Sequence, residues 1–396
     1  MRGGRPWRGM RIVVTANTAF NLVNFRSGLI RALMQEGHEV MALAPRDAYA
    51  DRLRVDPGCD FMHLDLDQRG MSVSHEARSL LAMTAALRRL QPDIVLSYTI
   101  KNNIYGGMAA RLLRIPIIPN VTGMGTVFSE RGGLCAVARW MYRHAFGAAP
   151  VVFFQNAEDR AHFERNGGVP AGRARLLPGS GVDLARFPLQ ALPGRPDAPD
   201  FLFVGRLLWE KGVAEFVEAA RQVRRSVPKA RFRIAGELAP PGPTAIPGDV
   251  IAGWSKKGLI DYLGRVEDVR GAIAEADCVV LPSYYREGTP RALLEAGACG
   301  RPIITTDMPG CRTVVEDGVT GYLVPPRDAG ALGAAMTTFA GTDHGARCAM
   351  GRASRAHIEA HFDEAIVIRA YLEAIEAGVR TRLGWAPIGT APAGST

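Results

Sequence analysis

Residues 277–296 read DCVVLPSYYREGTPRALLEA, and this stretch decides the fold. Its first part, Asp277–Ser283, is apolar, rich in β-branched residues and ends next to a proline, which predicts a buried parallel strand. Thr289 is expected to cap the helix that follows. Pro290 suits its first position because proline lacks the N–H that would have no partner there. The stretch therefore predicts a strand, a short loop and a helix, the repeating unit of a parallel α/β sheet.

The same stretch predicts an anion site. The free amides and the positive dipole end of the helix would point above the strand, which suits a diphosphate. Glu287 lies in the loop before the cap, and Glu295 lies about two turns along the helix. Carboxylates accept hydrogen bonds from hydroxyl groups, so two of them beside an anion site indicate a nucleotide-sugar as the ligand.

This stretch resembles the E-x7-E signature of retaining glycosyltransferases of family 4, which have the GT-B fold. The resemblance covers nearly the whole chain and implies two Rossmann-like α/β domains facing across a cleft, with a C-terminal crossover helix. It implies that Glu295 binds the ribose hydroxyls and that Glu287 faces the transferred sugar without acting as a nucleophile. The amides of Gly288 and Thr289 would hold the departing diphosphate.

A second stretch, DFLFVGRLLWEKGV at residues 200–213, supports the same prediction. It reads as an apolar strand, a turn at Gly205 and two cations, Arg206 and Lys211, and it resembles the family's G-R-x4-K-G element. Both cations would neutralise the leaving diphosphate, whose charge fixed cations and amides can stabilise without a metal. Further along, Arg265 and Val266 resemble the stretch whose main chain contacts uracil. The expected co-substrate is a UDP-sugar, with no cofactor and no metal.

Length and composition agree with two soluble-type domains. The chain has 396 residues, 47% of them hydrophobic and 22% charged, and it contains no run of about 18 apolar residues. The six cysteines form no C-x-x-C pair and are expected to be buried thiols. The predicted organisation is a disordered leader (1–9), an acceptor-binding domain (10–190), a nucleotide-sugar-binding domain (191–362), a crossover helix (363–380) and a flexible tail (381–396), with the Pro-rich residues 193–199 as linker.

The N-terminal half points to the acceptor. Strands are predicted at residues 11–15, 38–44, 93–97, 115–119 and 151–154, with a loop at 17–26 and a helix at 27–36. The loop lacks the Gly-Gly turn of many family members and resembles a subgroup that extends sugars on undecaprenyl diphosphate in bacterial glycan assembly. The candidate acceptor-side contacts are Asn17, Asn21, Asn24, Lys101, Asn103 and Thr122. For each of them the alternative is a polar residue that only shapes a turn.

The stretch after the fourth of these strands departs from the family. Several family members have a histidine there, near the transferred sugar, whereas this chain reads Asn120-Val121-Thr122-Gly123. A histidine-dependent step is therefore not expected. Main-chain groups, or the side chains of Asn120 and Thr122, would hold the sugar instead.

Residues 131–144 mix cations with Trp140, Met141 and Tyr142 at roughly helical spacing. Such a surface binds membranes through apolar burial and attraction to acidic lipids. Together with the lipid-linked acceptor that the resemblance implies, it predicts a peripheral location on the inner face of the cytoplasmic membrane. A core-facing helix with a solvated basic edge is the alternative. The net charge of +9 alone does not indicate a nucleic-acid partner, because no stacking-aromatic motif accompanies it.

Two patterns in the sequence resemble metal sites, and two other functions remain as alternatives. Asp65-Leu66-Asp67 spells D-x-D, but it follows an alternating apolar strand pattern and is expected to be a solvated strand end. His357 and His361 have helical spacing without a clear third ligand. A nucleotide-sugar epimerase shares the expected architecture, and a catalytically idle scaffold in a glycan-assembly complex is a further alternative.

Overall fold

Strands and helices alternate along the chain, as the sequence predicts. The computed structural model describes residues 9–66, 73–123, 133–166, 168–195 and 198–382. The strands are β1 (Arg11–Thr15), β2 (Glu39–Ala44), β3 (Asp60–His63), β4 (Ile94–Tyr98), β5 (Ile117–Val121), β6 (Val152–Phe154), β7 (Ala174–Leu176), β8 (Asp200–Val204), β9 (Arg231–Ala235), β10 (Asp261–Gly264), β11 (Cys278–Leu281), β12 (Ile303–Thr306) and β13 (Gly321–Val324). The helices are α1 (Ala19–Gln35), α2 (Arg52–Val55), α3 (Val73–Leu90), α4 (Ile100–Leu113), α5 (Gly133–Phe146), α6 (Ala157–Arg165), α7 (Val213–Ser226), α8 (Gly248–Lys256), α9 (Val269–Ala274), α10 (Arg291–Ala298), α11 (Ala329–Gly341), α12 (His344–His361) and α13 (Glu364–Arg382). Single 3₁₀ turns occur at Trp209–Lys211 and Arg312–Val314.

The first structural unit contains the sheet β3-β2-β1-β4-β5-β6-β7, whose strands are all parallel. The strand order reverses between β1 and β4, so the loops after these two strands diverge to opposite faces. The core of this unit includes Tyr371 and Ile375 of α13. Residues from Val367 onward therefore belong to this unit and not to the one that precedes them in sequence.

The second unit contains the parallel sheet β10-β9-β8-β11-β12-β13. Its strand order reverses between β8 and β11. Central strands such as β8 and β11 are buried at every position, because helices cover both faces of an all-parallel sheet. This arrangement explains why the sequence shows continuous apolar runs there rather than alternation.

Helix α1 starts earlier than predicted. Residues 17–26 were expected to form a loop, but the helix begins at Ala19, after Thr18, whose side chain accepts a hydrogen bond from the Asn21 amide at 3.0 Å. The side chains of Ala19 and Leu22 are buried, so apolar packing stabilises these first turns despite the neighbouring asparagines. Strand β7 was not predicted either, since its three residues are too short to show a periodic pattern.

The boundary between the units also differs from the expected one. The chain passes from the first unit to the second at Leu177–Pro178, before the Pro-rich residues 193–199. Val182 already pairs with Asp363 of the second unit, and Phe187 lies in its core. Residues 178–190 are therefore part of the second unit, because their apolar side chains are buried there.

In the described part of the chain, no helix has the length and hydropathy needed to span a bilayer. The expected leader, apart from Gly9, and the expected tail, apart from residues 381–382, lie outside the described residues.

Candidate active site

The two sequence motifs meet at the point where the second sheet reverses its strand order. Strands β8 and β11 are parallel neighbours, with Phe201 opposite Cys278. Arg206 follows the carboxyl end of β8, and the loop 284–289 follows the carboxyl end of β11. Open parallel sheets bind ligands outside the carboxyl ends of their strands at such a reversal. The fold therefore places both motifs where a ligand site is expected.

Glu287 is held by two side chains. Its Oε2 atom forms an ion pair with Lys211 Nζ, and 13% of the glutamate and 15% of the lysine side chain remain exposed. The hydroxyl of Ser283 donates a hydrogen bond to Oε1 at 2.6 Å. Both carboxylate oxygens are thus oriented, and charge-assisted bonds of this kind are about twice as strong as neutral ones. Lys211, expected to serve the donor diphosphate, also forms an ion pair with Glu287.

The backbone of the β11 loop is fixed by the 3₁₀ turn that carries Lys211. The carbonyl oxygen of Glu210 accepts hydrogen bonds from the amides of Tyr284 at 2.9 Å and Tyr285 at 3.2 Å. Gly212 has φ +76°, and a Cβ there would lie 2.1 Å from the carbonyl oxygen of Pro282. Only glycine allows this approach, which explains why a glycine follows the lysine in the motif.

Glycines also surround the loop at Gly288. A Cβ on Gly310, which has φ +83°, would lie 1.8 Å from the Gly288 carbonyl oxygen. A Cβ on Gly179 would lie 2.7 Å from Cβ of Thr289. The segment from Glu287 to Thr289 is therefore enclosed by backbone on more than one side, so its amides have little freedom to move.

Helix α10 begins one residue later than predicted. Pro290 occupies the N-cap position without a side-chain cap, and the first helical residue is Arg291. The expectation that Thr289 caps the helix is wrong, because its side chain packs against Gly179 instead. The amino end of α10 nevertheless follows β11 directly and lies at the carboxyl edge of the sheet.

Glu295 lies on the second turn of α10 and pairs with Arg291. The distance between Arg291 Nε and Glu295 Oε1 is 3.0 Å, and Arg291 Nη1 also donates to the Ser180 hydroxyl at 3.2 Å. Burial raises the pKa of the Glu295 carboxyl above its usual value, and the Arg291 guanidinium offsets only part of that effect. Arg291 and Ser283 are site residues that were not predicted from the sequence. The i, i+4 spacing of Arg291 and Glu295 was the available signal.

Arg206 is exposed beside this cluster. Burial raises the pKa of Tyr285, the charge of Glu287 raises it further, and the positive charge of Arg206 lowers it. Among the described residues the Arg206 guanidinium forms no hydrogen bond and no ion pair. It therefore remains available to an anionic ligand.

The other donor-side candidates follow neighbouring strands. Gly205 directly follows β8, and a Cβ on Gly236 would lie 1.8 Å from its carbonyl oxygen, so the loops after β8 and β9 touch. Arg265 and Val266 follow β10, and the Arg265 guanidinium pairs with Glu237 at 3.3 Å on the surface. These residues share the carboxyl edge with Arg206 and Glu287, on the β10 side.

The acceptor-side candidates lie in the first unit, near the reversal between β1 and β4. Asn17 precedes α1, and Asn21 and Asn24 lie on its first two turns. The Asn24 side-chain amide donates to the Phe20 carbonyl oxygen at 3.0 Å, while Asn21 Oδ1 is buried without a partner among the described residues. The structure thus brings these asparagines together on one helix end rather than in a loop.

The remaining acceptor-side candidates differ in accessibility. Lys101 forms an ion pair with Glu76 at 2.8 Å. Asn103 is buried and donates to the carbonyl oxygen of Asn120 at 2.8 Å. Asn120 is fully buried and donates to the Tyr371 hydroxyl at 2.9 Å, so its side chain fixes the end of β5 and is not placed to hold a sugar. Thr122, just beyond β5, is half-buried.

Neither metal-like pattern gains support as a site. Asp67 of the D-x-D pattern lies outside the described residues. Nε2 of His357 lies 3.2 Å from the Thr313 carbonyl oxygen. Within the described ranges, no three histidine, cysteine or acidic side chains cluster as metal ligands would.

Comparison with known proteins identifies the family. A model described as a glycosyl transferase 4-like domain matches residues 24–180, and one described as glycosyl transferases group 1 matches residues 198–341. A relative from Campylobacter jejuni, N,N'-diacetylbacillosaminyl-diphospho-undecaprenol alpha-1,3-N-acetylgalactosaminyltransferase, is 27% identical over 380 residues, covering 92% of this chain and 98% of the relative. A galactosyltransferase from Escherichia coli, named as acting with UDP-Gal on alpha-D-GlcNAc-diphosphoundecaprenol, is 26% identical over 66% of this chain and 69% of its own length.

The solved structure of Anabaena HepE in complex with UDP and glucose superposes with a TM-score of 0.75 at 16% identity, covering 92% of this chain and 99% of that one. This likeness confirms the predicted α/β GT-B fold. The two family models are both of glycosyltransferases, which confirms the transferase prediction over the epimerase. The chain belongs to the group 1 and 4-like glycosyltransferases, and it is a glycosyltransferase of the GT-B fold.

Proposed function

We propose that this enzyme transfers a hexose or an N-acetylhexosamine, with retention of configuration, from a UDP-sugar to a sugar carried on undecaprenyl diphosphate. The observation that carries the proposal is the Lys211–Glu287–Ser283 cluster at the β8–β11 reversal, with Arg206 beside it. The acceptor class rests on the names of the Campylobacter and Escherichia relatives, both of which act on sugars linked to undecaprenyl diphosphate.

In the proposed reaction the bond between the anomeric carbon and the diphosphate breaks first. Negative charge grows on the leaving UDP, and Arg206, Lys211 and the amides of Gly288 and Thr289 stabilise it. The acceptor hydroxyl attacks the same face of the sugar, and a donor phosphate oxygen accepts its proton. No metal takes part in this scheme.

Glu287 supports the sugar rather than bonding to it. Its two oxygens are already held by Lys211 and Ser283, so the carboxylate presents a fixed negative charge towards the oxocarbenium-like carbon. Such a preoriented charge needs no rearrangement in the transition state. A covalent sugar trapped on Glu287 would overturn this role.

The donor nucleoside is held further along the same edge. Glu295, kept in place by Arg291, accepts hydrogen bonds from the ribose hydroxyls, and the main chain at Arg265 and Val266 contacts the uracil. The acceptor sugar meets the first unit at Asn17, Asn21, Asn24, Lys101, Asn103 or Thr122. Asn103 contributes through the strand end that it fixes, because its side chain is buried.

The enzyme acts at the cytoplasmic face of the membrane, where its lipid-linked acceptor resides, without nucleic acid as a partner. The exposed side of α5 presents Arg139, Trp140 and Arg143 to solvent. Cations beside an exposed tryptophan suit an anionic interface. Reversing the charges of Arg139 and Arg143 should release the protein from anionic vesicles, and unchanged co-sedimentation would contradict this location.

The test of the activity is transfer itself. Purified protein is incubated with a UDP-sugar and a short-chain, water-soluble polyprenyl-diphosphate sugar, in the presence of EDTA. Product with the donor's anomeric configuration supports the proposal. Absence of transfer with each UDP-hexose and UDP-N-acetylhexosamine offered would favour the idle scaffold.

A further inference from the structure

We propose that a pocket at the opposite edge of the first sheet binds the phosphate group of an anionic phospholipid. Arg111, Arg143 and His144 line this pocket of about 440 Å³, together with Gly147 and residues 168–170. The proposal rests on the proposed function, since it concerns how an enzyme with a lipid-linked acceptor is held at its membrane.

The pocket lies at the amino edge of the sheet. Helix α4 ends there before β5, α5 ends there before β6, and residues 168–170 lead into β7. The two helices cross closely, because a Cβ on Gly107 of α4 would lie 2.6 Å from the Ala145 carbonyl oxygen of α5. This crossing brings the cations at the two helix ends to one place.

The cations of the pocket lack carboxylate partners. Arg111 Nη1 donates to the His144 carbonyl oxygen at 3.3 Å, and His144 Nδ1 lies 2.8 Å from the Trp140 carbonyl oxygen. In the ranges that the structure describes, no acidic side chain pairs with Arg111, Arg143 or His144. Arginine guanidinium groups match phosphate geometry. An anion would offset the repulsion between these groups.

Stabilisation of helix ends explains only part of the arrangement. Cations near a helix carboxyl end interact favourably with its dipole, and the contact of Arg111 with the last turn of α5 fits that role. Arg143 also lies in the last turn of α5, but its exposed side chain makes no hydrogen bond among the described residues, so it remains available to a bound anion.

The surroundings favour a lipid over a free phosphate. Trp140 is 56% exposed and packs against the His144 ring, with the two ring centroids 4.2 Å apart, and Leu112 at the end of α4 is 69% exposed. Tryptophan and aliphatic side chains beside cations suit the boundary between headgroups and acyl chains. A site for free phosphate would need no apolar flank.

This pocket is separate from the acceptor site. The acceptor-side candidates lie at or beyond the carboxyl ends of β1, β4 and β5. A strand rises about 3.3 Å per residue, so the five residues of β5 separate the two edges by roughly 16 Å. A second lipid phosphate, and not the diphosphate of the acceptor, therefore fits the pocket.

Vesicle flotation tests the proposal. The double variant Arg111→Gln/Arg143→Gln is compared with Arg88→Gln/Arg89→Gln, which removes the same charge from the end of α3, outside the pocket. Vesicles contain phosphatidylcholine with or without phosphatidylglycerol. Each cation near an anionic surface contributes about fivefold in affinity, so we expect the pocket variant to bind phosphatidylglycerol vesicles about thirtyfold more weakly. The control variant should lose clearly less affinity for these vesicles.

Equal losses in the two variants would overturn the proposal, because they would indicate diffuse attraction to the surface. A second arm titrates inorganic phosphate against the bound vesicles. Release at low millimolar phosphate would assign the pocket to free phosphate and overturn the lipid assignment. The single variant Arg143→Gln repeats the comparison if the double variant does not fold, since this side chain makes no internal hydrogen bond.

Transfer to a water-soluble acceptor separates the two proposals. The pocket variant should retain the wild-type rate in solution and lose rate only with acceptor embedded in vesicles. If the pocket variant showed normal transfer in solution and unchanged vesicle binding, only the proposal about the pocket would be overturned. Absence of soluble transfer by the wild-type enzyme would contradict the proposed function instead.

Discussion

Replacing Gly310 by alanine should disable the active site through a steric effect on its neighbour. The new Cβ would lie 1.8 Å from the carbonyl oxygen of Gly288, whereas real Cβ contacts are essentially never below 3.0 Å. The loop at Gly288 must therefore move by about 1.2 Å, the difference between these two distances. A displacement of about 1 Å at a reacting group costs roughly 100-fold in rate.

The expected result is a kcat about 100-fold below wild type for Gly310→Ala, with a lower melting temperature. Alanine at a positive φ is itself strained by about 1–2 kcal/mol, so the variant needs a control for this effect. Gly318→Ala provides this control, because the φ of Gly318 is +75° against +83° for Gly310, and a Cβ on Gly318 would meet nothing within 4 Å.

Both variants are assayed for transfer at a temperature where circular dichroism shows each to be folded. Gly318→Ala should lose only the stability that the backbone strain costs, and it should keep its activity. If Gly310→Ala retained the same kcat as Gly318→Ala, the conclusion that packed backbone fixes the Gly288 loop for catalysis would be refuted.

Four further outcomes are expected. Ser283→Ala removes a hydrogen bond to the Glu287 carboxylate worth about 1.5–3 kcal/mol, so kcat should fall about tenfold to a hundredfold, and an unchanged kcat would show that this bond does not position the glutamate. Glu287→Gln should lower kcat more than donor affinity, whereas Arg206→Ala should harm both; steady-state kinetics over a donor series distinguishes them. Glu295 must be ionised to accept hydrogen bonds from the ribose hydroxyls, and burial raises its pKa. On acidification the carboxyl therefore becomes protonated at a higher pH than an ordinary glutamate, and the donor KM should rise at that higher pH. Glu295→Gln should bind donor more weakly and lack that dependence, and a parallel pH profile in both proteins would contradict the assignment. Transfer should persist in excess EDTA, and its loss with recovery on adding magnesium would refute the metal-free scheme.

The sequence predicts the donor side well because its signals are local. Strand β11, the loop with Glu287 and helix α10 follow one another within 21 residues, and their order alone places Glu287 at the carboxyl edge. The pairing of Lys211 with Glu287 joins residues that are 76 positions apart. Such a contact depends on β8 and β11 being neighbours in the sheet, and no local sequence pattern predicts that pairing.

The errors on the acceptor side have a physical cause. Asn17, Asn21 and Asn24 favour turns by propensity, so residues 17–26 read as a loop. Burial of the apolar side chains between them outweighs that preference, as it commonly does for amphipathic helices. Thr18 as a capping residue and the apolar Ala19 and Leu22 three positions apart are the features of the sequence that favour this earlier helix start.

The domain boundary was misplaced for a similar reason. Proline-rich composition at residues 193–199 indicates a stretch without regular structure, but it does not state which unit that stretch packs against. The boundary depends on the burial of Phe187 and the pairing of Val182 with Asp363, both of which are contacts distant in sequence.

The central claim is that the Lys211–Glu287 cluster is the catalytic centre of sugar transfer. The most direct measurement is transfer from a UDP-sugar to a polyprenyl-diphosphate sugar by wild type and Glu287→Gln, with the anomeric configuration of the product read by proton NMR. The account predicts a product with retained configuration and a rate at least about 100-fold lower in the variant, while UDP still raises the melting temperature of both. An inverted product, or a variant as active as wild type, would contradict it.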